Sequence, residues 1–283
     1  MSVKSALYVV ATPIGNLNDI SLRAIQILGL VDVIAAEHTQ NSMHLLSHHR
    51  ITVKNTKLVA LHQHNEKNTA DKILAFLAAE KSIALLTDAG TPAVSDPGAL
   101  LVQRVREHGF TIIPIPGANA AICALSAAGI TNPHFLFYGF LPAKAGLRQR
   151  ALAALAASPY TLIFYEAPHR ILECLTDMTA IFGAQRQLTI ARELTKLFET
   201  IHTCTFDEAV MWINADSHRQ KGEFVLLVCG AQAEEKPRIS KQARNTLRVL
   251  LAELPLKQAV KLTAEISGEN RSALYQIALS LKS

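Results

Sequence analysis

The sequence predicts an α/β protein with two α/β domains and a small helical unit at the C-terminal end. At 283 residues, the chain exceeds the ~100–200 residues of a typical single domain. Hydrophobic residues make up 49% of it, which is enough for a sizeable core and argues against a disordered chain. Apolar runs alternate with amphipathic stretches up to about residue 229, and only helical patterns follow. Such alternation is typical of a mostly parallel sheet covered by helices.

The first predicted domain spans residues 1–116. Its strands are expected where apolar and β-branched residues are consecutive, and its helices where apolar residues recur every three or four positions. Asn65 or Asn68 is a plausible cap of the second helix. The expected strands are 7–11, 31–36, 83–87 and 111–115, and the expected helices are 21–30, 67–79 and a segment after Pro97.

The second predicted domain spans 117–235 and repeats the alternation. Pro168 fits the first turn of a helix that runs to about residue 182. A polar segment with a proline, 231–238, is expected to be a linker. The other expected elements are a helix over 119–128 and strands over 135–140, 161–165, 188–192 and 223–229.

The last predicted unit, 236–283, contains three helical patterns and resembles a small helix-turn-helix module. The patterns cover about 240–253, 256–267 and 271–281, with Gly268 at the last break. This stretch has nine Lys or Arg and three Asp or Glu, whereas the rest of the chain has a net charge of −1. Localised positive charge indicates a polyanionic partner, and a merely solubilising surface is the alternative.

Several classes of protein are disfavoured by what the sequence lacks. It has no GxGxxG fingerprint, Walker A loop, HExxH or GxSxG motif. The four cysteines form no CxxC pair, so we expect reduced thiols and no metal site. Residues 1–5 contain no apolar signal region, and no run approaches ~18 apolar residues. We therefore expect a cytoplasmic protein without a membrane segment.

Three loops follow strands of the first domain, at 12–16, 88–92 and 114–117, and each contains Gly or Pro. In open α/β sheets ligands bind beyond the carboxyl ends of the strands. Ordinary turn chemistry explains any one such loop, but three at one sheet edge favour a binding cleft.

A charged group of segments follows strands of the second domain. It comprises 164–170, 191–196 with Glu199, and 221–223. Arg, Lys and Glu beside apolar strands are costly to bury unless they are paired or used. Structural salt bridges and a functional site both remain open at this point.

Read in order, these segments resemble the tetrapyrrole methylase superfamily of S-adenosylmethionine (SAM)-dependent enzymes, and within it the ribosomal RNA methyltransferases. The resemblance extends over essentially the whole chain, including the tail 254–275. The matching segments are YVVATPIGNL at 8–17, AAE at 35–37, HQHNE at 62–66, TDAGTPAVSDPG at 87–98, LIFYEAPHR at 162–170, ARELTK at 191–196 and KGE at 221–223.

The resemblance implies that SAM binds in a cleft between the two α/β domains of a homodimer. It further implies 2′-O-ribose methylation of a cytidine in the decoding region of 16S ribosomal RNA, within the small ribosomal subunit. The cofactor contacts implied by the family are Pro13, Asp88, Ala89, Gly90, Thr91, Pro92, Ala93, Val94, Asn119, Ala120, Tyr165 and Glu166.

Methyl transfer to a hydroxyl needs alignment and a route for the hydroxyl proton. Candidates for the base, or for stabilising the alkoxide, are Glu166, Glu193, Lys196 and Glu37. Arg170 and Arg192 are candidate substrate contacts because arginine keeps its proton. The expected RNA phosphate contacts in the tail are Lys236, Arg238, Lys241, Arg244, Arg248, Lys257, Lys261 and Arg271.

One departure from the family pattern concerns the segment after the second strand. The family usually has Glu-Asp-Thr-Arg, and this chain has Glu37-His38-Thr39-Gln40. An acid and an arginine are replaced together, which puts the role of this segment in question. Two alternatives therefore stay open: a small-molecule, tetrapyrrole-type methylase, and a catalytically silent ribosome-binding protein.

Overall fold

The structure is a computed structural model that describes residues 4–53, 56–231 and 239–282. The chain forms two compact units, Met1–Ala231 and Gln232–Ser283. The first unit contains two β-sheets, and the second is helical. The predicted boundaries at 116 and 235 stay predictions. Most of the expected linker 231–238, with Lys236 and Arg238, lies outside the described residues.

The first sheet has five parallel strands in the order β3-β2-β4-β1-β5. Successive residues of its central strands point to opposite faces, and both faces are buried. This explains why the central strands read as continuous apolar runs. The strands are β1 Leu7–Val10, β2 Val33–Ala36, β3 Lys57–Ala60, β4 Ile83–Leu86 and β5 Ile112–Ile115.

Two helices cover each face of this sheet. On one face α1 and α2 bury residues such as Leu28 and Leu46, and on the other α3 and α4 bury Ile73 and Leu101. Ser21 caps the first helix by accepting a hydrogen bond from the Ala24 N–H. The helices are α1 Leu22–Leu28, α2 Thr39–His48, α3 Glu66–Ala78 and α4 Ala99–Glu107.

The second sheet is mixed and has the order β6-β7-β10-β8-β9. Only β6 and β7 pair in parallel, and the remaining neighbours are antiparallel. Its elements are α5 Ala120–Ala127, β6 Phe135–Phe140, α6 Ala145–Leu155, β7 Thr161–Glu166, α7 Ile171–Phe182, β8 Gln187–Arg192, β9 Thr200–Thr205, α8 Phe206–Asn214 and β10 Phe224–Val228.

The two faces of the second sheet pack against different partners. Helices α6, α7 and α8 cover the face that holds Phe164 and Leu226. Helix α5 covers the other face together with Ile14 of the first domain's loop. Because residues alternate along β7, Glu166 belongs to the first of these faces and Tyr165 to the second.

The C-terminal unit consists of three helices around its own small core, which includes Leu247, Val260 and Leu274. Ser240 caps the first helix, and Gly268 ends the second in the left-handed conformation at φ 71°. The helices are α9 Lys241–Glu253, α10 Leu256–Ser267 and α11 Arg271–Lys282.

The predicted α/β class with a C-terminal helical unit is confirmed, and the predicted strands lie within two residues of the observed ones. The sequence reading missed the edge strands β3 and β9 and the helices α2, α6 and α8. Edge strands bury little and therefore lack a clear apolar pattern, as Thr200–Thr205 illustrates. Among the described residues, none of the helices has the length and apolar character needed to span a bilayer.

Candidate active site

The three glycine- and proline-containing loops meet at the carboxyl edge of the first sheet. Thr12 and Gly90 exchange backbone hydrogen bonds of 2.8 and 3.1 Å. The Thr91 hydroxyl donates to the Ala118 carbonyl oxygen at 3.1 Å, which ties in the segment after β5. The loops that the sequence placed after separate strands thus form one surface.

A largely apolar cavity of about 280 Å³ opens between this surface and the second sheet. We call it the apolar cavity. Eight of the twelve expected cofactor contacts line it, namely Ala89, Gly90, Thr91, Val94, Asn119, Ala120, Tyr165 and Glu166. Its lining is Ile14, Ala89, Gly90, Thr91, Val94, Ser95, Asp96, Asn119, Ala120, Phe140, Tyr165, Glu166, Ala167, Pro168, Leu194, Glu223, Phe224 and Val225.

A second cavity of about 320 Å³, the polar cavity, adjoins the first. Ile14, Ala89 and Glu223 line both. Pro13 and Asp88, expected as cofactor contacts, line this second cavity, whereas Pro92 and Ala93 line neither. The polar cavity is lined by Pro13, Ile14, Gly15, Leu17, Asn41, Ser42, His44, Leu45, Thr87, Asp88, Ala89, Lys196 and Glu223.

Tyr165 joins the second sheet to the start of α5. Its hydroxyl oxygen accepts a hydrogen bond from the Ala121 N–H at 3.1 Å, while Asn119 caps the same helix through the Ile122 N–H. Burial, with a smaller contribution from the charge of Asp96, raises the pKa of Tyr165. The hydroxyl therefore stays protonated and keeps a hydrogen free to donate into the apolar cavity.

Glu166 ends β7 with a fully buried side chain. Its Oε1 accepts from the Ala167 N–H at 2.9 Å and lies 3.2 Å from Nε of Arg170. No described residue donates to its Oε2 with good geometry, although the Cys174 thiol is close enough for Glu166, after burial, to raise the pKa of that thiol. A buried carboxylate oxygen without a donor is costly, so it is suited to receive a donor from a ligand.

The two expected substrate arginines of this unit donate to backbone oxygens. Arg170 donates from one terminal nitrogen to the carbonyls of Leu141 and Pro142, at 2.7 and 3.3 Å. Arg192 is buried and donates to the carbonyls of Lys221, His218 and Phe198 at 2.6, 2.8 and 3.2 Å. These contacts favour a structural role for both guanidinium groups.

Lys196 lies at the meeting point of three segments. Its Nζ is 2.9 Å from Oε1 of Glu193 and 2.8 Å from Oε2 of Glu223. The same Glu193 oxygen accepts from the Glu223 N–H at 3.0 Å. Glu193 and Thr195 have left-handed backbone conformations, with φ of 50° and 66°. Such strain is uncommon in residues other than glycine and clusters at functional sites.

The electrostatics of this network keep Lys196 charged at neutral pH. Burial acts to lower its pKa, but its hydrogen bonds to Glu223 and Glu193 raise it overall. Burial acts to raise the pKa of Glu193, yet the Glu223 N–H and Lys196 lower it overall. Lys196 is therefore a hydrogen-bond donor here, and Glu193, which lines neither cavity, is its counter-ion.

The segment 37–41, which includes the unusual His38, contacts the Asp88 loop through three side chains. His38 Nδ1 lies 2.8 Å from Oδ2 of Asp88, and the Asn41 amide donates to that oxygen at 2.7 Å. Glu37 Oε2 accepts weakly from the Asp88 N–H at 3.4 Å, and Glu37 lines neither cavity. This is a hydrogen-bonded network that orients Asp88, and we assign no metal to it.

The structure adds residues that the sequence reading did not select. Asn41, Ser42 and His44 were missed because α2 was not predicted. Glu66 was quoted only within a motif, but its Oε1 accepts from the N–H groups of Gly98, Leu100 and Leu101 at 3.0, 2.9 and 3.1 Å. It therefore fixes the end of the loop that contains Asp96, together with the first turn of α4, to the start of α3.

In the C-terminal unit, the basic residues expected to contact RNA all have exposed side chains where they are described. These are Lys241, Arg244, Arg248, Lys257, Lys261 and Arg271. Of these six residues, only Lys261 forms an ion pair within the described part of the chain, at 3.8 Å from Glu265 on the same helix. Such an exposed pair is weak, so the positive charge of this surface remains available.

The comparisons with known proteins agree with the two-unit division. Residues 6–210 match the family model for tetrapyrrole (corrin/porphyrin) methylases, and residues 238–282 match that for the RsmI C-terminal HTH domain. Proteins named ribosomal RNA small subunit methyltransferase I are similar over nearly the whole chain. The protein from Escherichia coli O157:H7 is 50% identical over 96% of this chain and 94% of its own length. The one from Pseudomonas aeruginosa is 49% identical over 96% of each.

Solved structures share the fold of the first unit at low sequence identity. Cobalt precorrin-4 methyltransferase superposes with a TM-score of 0.58, at 15% identity, over 80% of this chain and 95% of that one. Uroporphyrin-III C-methyltransferase from Thermus thermophilus, complexed with S-adenyl homocysteine, gives 0.56 at 15% identity, over 78% and 96%. With the matches to the full-length relatives, these findings confirm the resemblance seen in the sequence. The chain belongs to the tetrapyrrole methylase family, in the group of ribosomal RNA small subunit methyltransferase I proteins.

Proposed function

We propose that this protein transfers a methyl group from SAM to the ribose 2′-oxygen of a cytidine in the decoding region of 16S ribosomal RNA. The observation on which the proposal rests is the pair of adjoining cavities, which share the wall of Ile14, Ala89 and Glu223. A shared wall lets a methyl donor and an acceptor nucleotide bind side by side. Relatives at 46–50% identity, all named for small-subunit ribosomal RNA methylation, support RNA as the acceptor.

The residues of the apolar cavity fit SAM, which has an apolar and aromatic body, a sulfonium charge and amino and carboxylate groups. Ile14, Val94 and Val225 offer apolar walls. The carboxylates of Glu166 and Asp96 complement positive charge, and the unpaired Oε2 of Glu166 is ready to accept a hydrogen bond. The first turn of α5, with Asn119 and Ala120, and the Tyr165 hydroxyl complete the polar contacts. A structural neighbour with S-adenyl homocysteine bound supports the same assignment.

SAM supplies an electrophilic methyl group, and this chain's residues align the acceptor and exclude water. Alignment alone is worth several kcal/mol, up to roughly 7–11. The polar cavity offers Asn41, Ser42, His44 and Asp88 to hold a nucleotide by hydrogen bonds. Two of the three Lys196 protons are used by Glu193 and Glu223, and the third is free to stabilise developing negative charge on the acceptor oxygen.

We propose that the C-terminal unit binds RNA phosphates through Lys257, Lys261 and Arg271, with Lys241, Arg244 and Arg248 adding positive charge. The exposure of these side chains and the match to an HTH family model support this role. Because Arg170 and Arg192 donate to backbone oxygens, we propose that they shape the cavities in place of the substrate contacts first expected.

We also propose a substrate particle, a location and an oligomeric state for this protein. We propose a small ribosomal subunit as the substrate and a cytoplasmic location, and the names of the relatives support both. A homodimer is supported by two consecutive exposed apolar residues, Leu197 (89% exposed) and Phe198 (65%). Exposed apolar patches of this kind often mark interfaces.

The test is transfer of labelled methyl groups from SAM to small ribosomal subunits that lack native modifications, with naked 16S ribosomal RNA beside them. The product is mapped by resistance to alkaline cleavage, because a 2′-O-methyl group blocks attack by the ribose oxygen. One labelled, alkali-resistant cytidine is the expected result. Label at a base would contradict the ribose assignment, and SAM binding without any label would favour the silent ribosome-binding alternative. Pigment binding and methylation of a tetrapyrrole would favour the small-molecule alternative.

A further inference from the structure

Four carboxylates line the two cavities: Asp88, Asp96, Glu166 and Glu223. Three of them are already engaged. Asp88 is bonded to His38 and Asn41, Glu166 is paired with Arg170, and Glu223 is paired with Lys196. The carboxylate of Asp96 makes no hydrogen bond or ion pair with any residue that the structure describes.

The loop around Asp96 is held in a strained shape. Ala93 and Ser95, on its N-terminal side, have φ of 67° and 66°, which non-glycine residues rarely adopt. Glu66 anchors the C-terminal side at Gly98, and a Cβ atom on Gly139 would lie 2.9 Å from Oγ of Ser95. Glu66 at the start of α3 and Gly139 on β6 therefore restrain a loop whose Asp96 carboxylate has no hydrogen-bond partner among the described residues. Strain of this kind persists only where the surroundings enforce it, and it clusters at functional sites.

The surroundings of Asp96 favour proton uptake near neutral pH. Burial, followed by the negative charges of Glu37 and Asp88, raises its pKa to about 7. Tyr165, across the cavity on β7, is the other titratable group that senses its charge. A proton acceptor works best when its pKa lies near the working pH.

We infer that Asp96 accepts the proton of the acceptor hydroxyl during methyl transfer; this rests on the proposed function. The hydroxyl O–H bond breaks with its proton passing to the Asp96 carboxylate, while the oxygen forms a bond to the methyl carbon. The carbon–sulfur electron pair stays on the sulfur of the sulfonium donor, which leaves as a neutral thioether. Asp96 then releases the proton to water. Glu193 and Glu37, two of the earlier candidates, line neither cavity, and Glu166 is already paired with Arg170.

The first arm of the test compares wild type with Asp96→Asn in single-turnover methyl transfer, at saturating SAM and subunits, from pH 5.5 to 9. We expect the rate at pH 8 to fall by ~10²–10⁴-fold, and we expect the inflection of the wild-type profile, which bound SAM shifts below pH 7, to disappear. Asp96→Glu, which keeps the carboxylate, should recover part of the rate. Glu107→Gln, an exposed carboxamide change on α4, is the matched control and should behave as wild type. Wild-type rates in Asp96→Asn would overturn the inference.

The second arm needs no RNA. SAM is a cation, so its binding beside Asp96 should release about half a proton from that carboxyl at pH 7. Calorimetric titrations with SAM in buffers of different ionisation enthalpy measure the number of protons released. This release should vanish in Asp96→Asn, and SAM should bind that variant several-fold more weakly because the lost carboxylate complements its positive charge. Equal release in variant and wild type would contradict the inference, as would a lost rate that is fully explained by weaker SAM binding. The wild-type protein could release this proton in an Asp96-dependent way and still fail to label RNA. That result would contradict the proposed substrate but would leave intact the assignment of Asp96 as the group that titrates.

Discussion

A Cβ atom on Gly15 would lie 2.5 Å from Cγ of Lys196 and 2.7 Å from Oγ1 of Thr195. The first β1 loop and the segment after β8 therefore meet at a point where only hydrogen fits. Asn16 completes the contact, since its N–H donates to the Thr195 hydroxyl at 3.1 Å. This approach brings the ion pairs of Lys196 to the polar cavity.

Gly15→Ala should therefore disable methyl transfer by displacing Lys196. We expect kcat to fall by at least about tenfold. A methyl group on residue 15 would force the Lys196 side chain or the backbone of the loop to move, and the acceptor would then be misaligned. Gly146→Ala is the control, since nothing lies within 4 Å of its Cβ position. Single-turnover rates for both variants check this, and unchanged rates in Gly15→Ala would show that the loops separate easily.

Tyr165→Phe should weaken both the fold and SAM binding. The Ala121 N–H loses its acceptor, so the free energy of unfolding should fall by about 1 kcal/mol. SAM should bind several-fold more weakly, because the start of α5 lines the apolar cavity. Denaturant unfolding and calorimetric titration give the two values. Tyr138→Phe, whose hydroxyl has no hydrogen bond among the described residues, should change neither, and loss of SAM affinity there would argue against a local cause.

The stability of the ligand-free protein should depend on Asp96 and on pH. The folded-state pKa of about 7 lies above the ordinary value of 3.8, so the folded protein binds this proton more tightly than the unfolded chain. Stability is therefore lost as pH rises from about 4 to about 7. Asp96→Asn removes that loss, so the variant should be more stable than wild type at pH 8. Because solvent screens a half-exposed group, we expect the free energy of unfolding to rise by only about 1 kcal/mol, or Tm by about 3 °C. Thermal scans at pH 5 and pH 8 test this, and an equal Tm difference at both values would contradict it.

The C-terminal unit should account for much of the salt dependence of RNA binding. Each phosphate contact contributes roughly 0.7–0.9 to the slope of log affinity against log salt. The triple change of Lys257, Lys261 and Arg271 to alanine should lower that slope by about 2–3 and leave SAM affinity unchanged. Gln258→Ala, a neutral change on the same helix, serves as control. An unaltered slope in the triple variant would move the RNA contacts elsewhere, with Lys144, Arg148 and Arg150 next to test. Of these, Arg148 is buried against Asp177 and is the weakest candidate.

Exposed apolar side chains at the end of the 191–196 segment should mediate self-association. Leu197→Asp together with Phe198→Ser should convert a dimer to a monomer, because a buried unpaired carboxylate is strongly unfavourable in an interface. Sedimentation velocity measures the change. Exposed Leu22 (80% exposed) on α1 offers the control Leu22→Asp. A monomeric wild type would remove this proposal without affecting the active-site assignments.

Much of the fold was predictable because strongly buried elements have a strong local signal. The central strands of both sheets, such as β7 at Thr161–Glu166, were predicted within two residues because nearly all of their side chains are buried and apolar runs mark them in the sequence. Helix α2 was missed because it mixes polar Asn, Ser and His with Leu and has no clear apolar stripe. Only three of its residues are buried. With α2 missed, Asn41, Ser42 and His44 could not be recognised as cavity residues.

The sequence by itself determined the α/β class, the three loops at the sheet edge, the family and the basic helical tail. Each depends on local propensity, on periodic burial or on short motifs that are visible in consecutive residues. Only the tertiary structure decided which charged groups are paired: Arg192 with three carbonyls, Lys196 with Glu193 and Glu223, and Asp96 with no residue of the described ranges. Pairing depends on contacts between residues distant in sequence, and it governs whether a carboxylate is a structural partner or free to accept a proton.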